Sequence, residues 1–336
     1  MVVVVVALTG AVPAGAVVSI GGWGTISADM AGGSLVWADS QPATTTTFTY
    51  WRTDASAARV SGNRITEVIK PVTVRTSAGP ITGAQIRATG VGRGFTLTAS
   101  GASFAGPVTW CCTPETLEVV VSSDGDHDAP HPYAAGLDGP RVRWIGTGPS
   151  GAVLGAGDPV EYAEREASAP IPGHPGPGLA SVAPGIAAWA DRGGSSIRFG
   201  VPADTGVAGL RDAAQGGTVL EVWAVPAVIA AVVRGGGYRV TRTDVATGGV
   251  TVVWRGTVRP RIAVGGSTIA IGAGRAVLTS RHGTARRVGG TRGAIAAVAT
   301  DGSRVAVFER TSRRARTRTG ARTVRITSVR IIGQVR

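Results

Sequence analysis

Short apolar runs dominate the pattern of hydrophobic and polar positions along the chain. Runs of four to eight residues, rich in valine, isoleucine and threonine, alternate with segments rich in glycine, proline and aspartate. After the N-terminal segment, no long apolar pattern has the 3.6-residue period of a helix. Runs of this length, bounded by turn residues, predict β-strands. The pattern therefore predicts an all-β protein.

The clearest single unit is the segment from Ala297 to Phe308. Its two ends are apolar, and between them stands Asp301-Gly302-Ser303-Arg304. An Asp-Gly pair between two apolar runs is a strong signal for a tight turn joining two strands. The segment predicts a buried hairpin in which Asp301 forms the turn and has no catalytic role.

Weaker copies of this unit recur through the chain, which predicts a repeat architecture. A Gly-Ser-x-(Val/Ile) start is found at Gly33, Gly266 and Gly302. The strand centres then fall 36 to 61 residues apart, near Val36, Leu97, Val142, Ala187, Ile229, Ile269 and Val305. Most of these spacings fit a propeller blade, whose repeat is about 40–50 residues. We predict a β-propeller of six to seven four-stranded blades, in which the longest spacing hides another blade or an insertion.

One repeat can be followed strand by strand. Val228–Val233 is continuously apolar and is predicted to be the inner strand of a blade. Tyr238–Thr243 would be the next strand, and Val250–Trp254 the outer strand, with Asp244–Gly249 as the turn between them. Inner strands are buried on both faces, whereas outer strands alternate apolar and polar residues.

Two of these turns resemble those of a known family. The segment Ala299–Ala306 resembles the Ser-Pro-Asp-Gly-x-x-Ile-Ala repeat of TolB-like propellers, with Ala-Thr in place of Ser-Pro. Asp244–Gly249 resembles the Asp-x-x-Thr-Gly turn common in such blades. The resemblance implies a secreted bacterial propeller of the TolB-like, WD-repeat-like kind. It implies no catalytic residue, because the shared motif is a structural turn.

The N-terminal segment is typical of a signal peptide. No charged residue precedes Asp29, and the apolar stretch Val2–Leu8 is followed by Ala14-Gly15-Ala16. Small residues at these positions predict cleavage after Ala16, which gives a leader at 1–16 and a propeller domain at 17–336. An uncleaved membrane anchor is the alternative, since Val2–Ile20 is about long enough to span a bilayer. We predict a secreted or cell-envelope protein.

Charge is distributed very unevenly. The formal charge is +13, and residues 251–336 hold 18 arginines against two acidic residues, a net charge of +16. Within this region Arg313, Arg314, Arg316 and Arg318 are candidates for binding an anionic wall polymer. The alternative is a solvated edge strand protected by its charge. Nucleic acid is disfavoured, because no aromatic residue is interleaved with 309–336.

The densest polar cluster is a candidate metal site. It consists of Asp124, Asp126, His127, Asp128 and His131. Alternating aspartates are typical of calcium loops, and histidines with an aspartate could hold zinc. An EF-hand is excluded, because Ala129 and Ala135 stand where its turn glycine and its bidentate glutamate belong. A solvated loop without metal is the alternative.

Cys111 and Cys112 are the whole cysteine content. In an exported protein a disulfide is expected, but adjacent cysteines can form only a strained ring. Two free thiols and a vicinal disulfide both remain open.

Together these features predict an exported, non-catalytic propeller that acts as a binding or scaffold module in the cell envelope. Its partner would be an envelope protein or an anionic wall polymer, with membrane contact only through the leader. The alternative is an envelope hydrolase or lyase on the same scaffold, assisted by Ca²⁺ or Zn²⁺ at Asp124–His131. No other cofactor and no catalytic residue are assigned.

Overall fold

The computed structural model describes most of the chain after the N-terminal segment. The described residues are 18–21, 24–44, 49–68, 72–76, 79–90, 95–99, 102–104, 118–122, 131–138, 141–148, 151–157, 167–317 and 320–333. Within them the secondary structure is 29 β-strands and one 3₁₀ turn, Gly83–Gln85. None of the described helical segments is long and apolar enough to cross a membrane.

The described strands form seven sheets, six with four or more strands and one with three. Strand β1 (Val18–Gly21) belongs to the last sheet. Sheet 1 contains β2 (Thr25–Ala31), β3 (Ser34–Thr44), β4 (Thr49–Ser61), β5 (Arg64–Val68), β6 (Val72–Thr76) and also β9 (Ala102–Phe104). Sheet 2 contains β7 (Ile86–Ala88), β8 (Phe95–Ala99) and β10 (Glu118–Ser122). Sheet 3 contains β11 (His131–Asp138), β12 (Arg141–Gly148), β13 (Gly151–Gly157) and β14 (Ala167–Pro170).

The remaining sheets follow in chain order. Sheet 4 contains β15 (Ala180–Ala183), β16 (Ile186–Trp189), β17 (Ser196–Ala203) and β18 (Gly206–Ala214). Sheet 5 contains β19 (Thr218–Val225), β20 (Val228–Arg234), β21 (Tyr238–Asp244) and β22 (Val250–Gly256). Sheet 6 contains β23 (Arg261–Gly265), β24 (Thr268–Ala273), β25 (Ala276–Ser280) and β26 (Arg286–Gly290). Sheet 7 contains β27 (Ala294–Thr300), β28 (Val305–Thr317), β29 (Gly320–Ile332) and β1.

The seven sheets form a closed ring, which is a β-propeller. The first strand of each sheet contacts the neighbouring sheet on either side, from β2 with β7 around to β23 with β27 and β27 with β2. The first strands therefore surround a central channel. The prediction of an all-β propeller of six to seven blades is confirmed.

The ring is closed by pairing the two ends of the described chain. Strand β1 is the outer strand of sheet 7 and pairs antiparallel with β29, with Val18 opposite Val329 and Ser19 opposite Ser328. Sheet 7 also packs on sheet 1, where Phe308 and Trp37 meet with ring centroids 6.1 Å apart. Strand pairing and aromatic packing thus join the same two regions of the chain.

Apolar layers between neighbouring sheets make up most of the core. Strand β20 shows why the sequence pattern was so clear, because Val228 to Val233 are all fully buried, with one face toward sheet 4 and the other toward sheet 6. Each of the seven strand centres predicted from sequence lies in the second strand of a different sheet. Val228–Val233 is therefore a second strand, and the predicted inner position is corrected to β19. Strands β19 and β20 are both apolar, so hydrophobicity alone could not show which of them is the inner strand.

The longest spacing between predicted centres reflects an insertion. Sheet 1 has six strands, because β5, β6 and β9 extend it beyond β4. Strand β9 comes after β7 and β8 of sheet 2 in the chain, so the two sheets interleave in sequence. This insertion lengthens the first repeat without adding a blade.

The two turns that carried the family resemblance form as predicted. Asp301 Oδ1 accepts hydrogen bonds from the backbone N–H groups of Ser303 and Arg304 at 2.9 and 2.8 Å, and Gly302 has a φ of 94°. Asp244 Oδ1 accepts from the N–H of Thr247 at 2.8 Å. Both aspartates act as turn formers through these short-range bonds.

Candidate binding site at the mouth of the central channel

The site residues predicted from sequence lie largely outside the described part of the chain. This applies to Asp124, Asp126, His127, Asp128, Cys111, Cys112 and Arg318. His131 begins β11 opposite Thr147, and only its backbone is described. Among the described residues, no three His, Cys, Asp or Glu side chains are close enough together to hold a metal ion. The metal and cysteine hypotheses therefore stay predictions.

The arginines proposed to bind anions lie on a projecting hairpin. On β28, Arg313, Arg314 and Arg316 are paired in register with Val324, Thr323 and Ala321 of β29. Their backbone is described and their side chains are not. Pairing of β28 with β27 ends at Arg310, so residues 311–317 continue past the start of β27. The anion-binding role of these arginines stays a prediction.

A buried ion pair lies in the interior of the channel. Arg87 Nε on β7 donates to Asp29 Oδ2 on β2 at 3.0 Å. One Arg87 Nη donates across the ring to Ser181 Oγ on β15 at 3.0 Å and to the Ala224 carbonyl on β19 at 3.3 Å. The guanidinium carbon lies 5.2 Å from the ring centroid of Trp223. A single side chain thus connects first strands from four sheets.

Desolvation dominates the electrostatics of this ion pair. Burial raises the pKa of Asp29, against the opposing effects of the Arg87 charge and of hydrogen bonds that include one from the Ala88 N–H. Asp29 and Arg87 are 2% and 8% exposed. At such burial, each charge is tolerated only because the other is present. The ion pair is best understood as part of the scaffold.

A cavity of about 150 Å³ opens at one end of the channel, where the first strands begin. Its wall includes residues of β2, β19, β23 and β27 together with the 3₁₀ turn and the Pro177-Gly178 segment. The polar and charged side chains of this wall are Thr25, Ser27, Thr82, Glu221, Trp223, Arg259 and Arg261. We call this cavity and its rim the channel mouth.

The 3₁₀ turn shapes one side of the channel mouth. Ser27 Oγ donates to the Gly83 carbonyl at 2.6 Å, and the Thr82 N–H donates to Gln85 Oε1 at 2.9 Å. Gly83 has a φ of 54°, and a Cβ atom there would lie 3.3 Å from Gly178 Cα and 3.5 Å from Glu221 Cγ. A glycine suits this position because of both its backbone conformation and its close contacts.

Glu221 is the buried acid of the channel mouth, and its residue is 8% exposed. Its Oε1 accepts from Trp223 Nε1 at 2.8 Å, whereas Oε2 lies 4.0 Å from the nearest Nη of Arg259. Burial raises the pKa of Glu221, and the Trp223 hydrogen bond and the charges of Arg261 and Arg259 oppose that rise only in part. The second oxygen therefore has a cation nearby but no hydrogen bond to it.

Two arginines, Arg259 and Arg261, lie close enough to Glu221 for their charges to act on it. Arg261 is exposed, and within the described chain its side chain has no hydrogen bond or ion pair. Arg310 of β28 donates to the Gly24 carbonyl, at the entry to β2. Burial and the nearby charge of Arg261 lower the pKa of Arg310, and Asp39 opposes them. Because the two positive charges of Arg261 and Arg310 repel each other, a negatively charged group at the rim would be favourable.

Two hairpins project beside the channel mouth. The start of β2 at Thr25 lies opposite Ser40, and β3 continues beyond that point to pair with β4 through Thr44 and Thr49. The β28–β29 hairpin continues in the same way past the start of β27. Both extensions therefore lie on the face where the channel opens. The first hairpin carries Tyr50, whose ring centroid is 5.4 Å from the guanidinium carbon of Arg75.

The residues of the channel were not identified from sequence. Asp29, Arg87 and Glu221 are each the only charged residue of their strand, and that isolation is the signal that could have marked them. Their partners come from sheets far apart in the chain. No local motif therefore indicates which of them meet.

Comparisons with known proteins identify no family. No model of a protein family and no curated protein matches the chain. Among solved structures, it is similar to the computationally designed Ika8 protein, with a TM-score of 0.44, 11% identity, and 95% of this chain and 96% of that chain covered. It is also similar to PorZ, a bacterial surface component of the type-IX secretion system of Porphyromonas gingivalis, with a TM-score of 0.47 and 10% identity. That match covers 83% of this chain but only 35% of PorZ.

Proposed function

We propose that this propeller is a non-catalytic binding or scaffold module of the cell envelope, and that it recognises its partner on the face where the channel opens. The observation that carries this proposal is the channel mouth, where buried Glu221 lies among Arg259 and Arg261. Deeper in the channel, Arg87 neutralises Asp29 in a structural ion pair. The described channel mouth offers charge and hydrogen bonds on a rigid frame, which are the means of recognition.

We propose further that the chain is an exported propeller of the TolB-like, WD-repeat-like kind. The Asp301 and Asp244 turns support this resemblance. The apolar leader supports export, because cleavage after Ala16 would leave β1 intact for its pairing with β29. The partner would be an envelope protein or an anionic wall polymer that contacts the basic β28–β29 hairpin beside the channel mouth.

Adsorption to an anionic polymer tests this function. We expect the purified chain to sediment with an immobilised glycerol-phosphate polymer, to do so less as salt rises, and not to sediment with a neutral glucan. Changing Arg313, Arg314, Arg316 and Arg318 together to Ser should reduce the bound fraction severalfold. The matched control changes the exposed arginines Arg234, Arg255, Arg275 and Arg286 to Ser, which removes the same charge elsewhere.

Two results would contradict the proposal. If the control variant loses as much adsorption as the hairpin variant, attraction depends on net charge and not on a defined face. If calcium or zinc raises the melting temperature and Asp126→Ala removes that shift, the metal-assisted hydrolase or lyase becomes the better hypothesis.

A further inference from the structure

We propose that the channel mouth binds a free α-amino acid, with the ammonium group on Glu221 and the carboxylate on Arg259 and Arg261. The proposal rests on the proposed function, because it takes this mouth as a recognition site, and it adds the chemical class of the ligand. The wall of one small cavity carries both signs of charge. A ligand that complements it must therefore carry both signs as well.

The acidic half of the site is already oriented. The indole Nε1 of Trp223 donates a hydrogen bond to Glu221 Oε1 at 2.8 Å and so fixes the position of the Glu221 side chain. The other oxygen has no hydrogen bond to a described residue and lies 4.0 Å from Arg259. An ammonium group would supply the missing donors, and a hydrogen bond to a charged partner is stronger than one between neutral groups. Glu221 is therefore the acceptor for a ligand cation.

The basic half of the site faces solvent at the rim. Arg259 is 47% exposed at its side chain, and its nearest described acceptors are Glu221 and the Leu220 carbonyl, the latter at 3.5 Å. Arg261 has no hydrogen bond within the described chain, so its guanidinium donors are available. Planar guanidinium groups suit carboxylates, which can accept two parallel hydrogen bonds. Arg259 and Arg261 are therefore the donors for a ligand anion.

Spacing and volume limit the ligand to a small molecule. Glu221 Oε2 and an Arg259 Nη lie 4.0 Å apart, and the cavity has a volume of about 150 Å³. In an α-amino acid the ammonium and the carboxylate group are attached to the same carbon, so one molecule can contact both side chains. A longer ω-amino acid separates its charges and fits that spacing less well. Within a peptide chain no residue carries both free groups, so a free amino acid is favoured.

The protonation of Glu221 gives the binding a predictable pH dependence. Burial raises the pKa of Glu221, so its neutral form persists to higher pH in the empty site than for an ordinary glutamate. An ammonium ligand favours the ionised form, so binding should strengthen as pH rises through that pKa and should release a proton. The described charges that act on Glu221 are Arg259 and Arg261, whereas Gly178 and the 3₁₀ turn add none.

Isothermal titration calorimetry on the full chain, in the absence of polymer, tests the ligand class. We expect L-alanine and glycine to bind. N-acetyl-L-alanine lacks the ammonium, L-alaninamide lacks the carboxylate and β-alanine has the wider charge spacing, and each should bind about tenfold more weakly or worse. Equal binding of N-acetyl-L-alanine would overturn the zwitterion proposal in favour of a simple anion site. Equal binding of L-alaninamide would overturn it in favour of a cation site, and absence of binding by L-alanine and glycine would also overturn it.

Three variants locate the binding. Glu221→Gln keeps an acceptor for Trp223 and removes the charge, so L-alanine affinity should fall at least about tenfold and lose its pH dependence. Arg261→Ala changes an exposed side chain that makes no hydrogen bond within the described chain. It should weaken L-alanine binding by a similar factor and leave the melting temperature unchanged. Arg286→Ala removes an exposed arginine from the outer strand of the same sheet and should bind like wild type. Full affinity in Arg261→Ala would contradict the site, and none of these outcomes depends on polymer adsorption.

Discussion

At the scale of single residues, two classes of acidic side chain behave in opposite ways. Burial raises the pKa of Asp29, Asp39 and Glu221, which lie in or near the channel. Hydrogen bonds lower the pKa of the turn acids: those from Thr247 act on Asp244, and those from Arg304 and Ser303 outweigh the effect of burial on Asp301. The turn acids are ionised parts of the local structure, whereas Asp29 depends on a cation from another sheet, Arg87.

Arg87 tests how strongly the scaffold depends on a channel ion pair. Arg87→Met leaves Asp29 buried without its cation, so the free energy of unfolding should fall by about 3–5 kcal/mol. Urea denaturation measures this loss. The double variant Arg87→Met with Asp29→Asn should recover part of the stability, because no unpaired charge remains. A loss below about 1 kcal/mol in the single variant would show that the ion pair is not a main support of the ring.

At the scale of secondary structure elements, the β27–β28 hairpin combines local turn chemistry with contact between sheets. Asp301 holds the turn through backbone N–H groups and also pairs with Arg304. Arg304 in turn donates to the carbonyls of Val60 and Gly62 in sheet 1, at 3.2 and 3.3 Å. One turn therefore fixes both its own hairpin and the joint between the last and first sheets.

Acid should weaken this turn. Burial alone would raise the pKa of Asp301. Hydrogen bonds from Arg304 and Ser303 outweigh that effect and hold the pKa of Asp301 below its usual value. A lowered pKa in the folded state stabilises the fold above the unfolded-state value of about 3.9, and the stabilisation disappears as pH falls through the folded-state pKa. Asp301→Asn should therefore cost about 1–3 kcal/mol at pH 7 and less once the pH has fallen below the folded-state pKa of Asp301. A cost independent of pH, measured by urea unfolding, would contradict an electrostatic role.

At the scale of the whole molecule, closure of the ring decides which surfaces are free. Strand β1 covers the outer edge of β29 within sheet 7, and the Trp37–Phe308 contact packs sheet 7 on sheet 1. Exposed strand edges tend to pair with other chains, so β1 also protects the last blade. The closed ring holds the channel mouth and both projecting hairpins in fixed relative positions.

Truncation tests this closure. Removal of residues 1–21 deletes β1, and we expect a loss of about 2–4 kcal/mol in unfolding free energy together with concentration-dependent association through the uncovered β29 edge. Removal of residues 1–16 keeps β1 and serves as the matched control, with unchanged stability. Denaturation and light scattering measure the two effects. Equal stability of both truncated chains would show that β1 does not close the ring.

The sequence by itself determined that this protein is all-β, that it is built from repeats, that it has six to seven blades, and that two of its turns are formed by aspartates. Those features depend on neighbouring residues, because burial on both faces produces apolar runs such as Val228–Val233, and tight turns need aspartate and glycine at set positions. Only the tertiary structure decided that β20 is a second strand, that β1 closes the ring, and that Asp29, Arg87 and Glu221 face one channel. The physical reason is that each sheet contributes one strand to the channel. Residues more than a hundred positions apart, such as Arg87 and Ala224, become neighbours only when the ring closes.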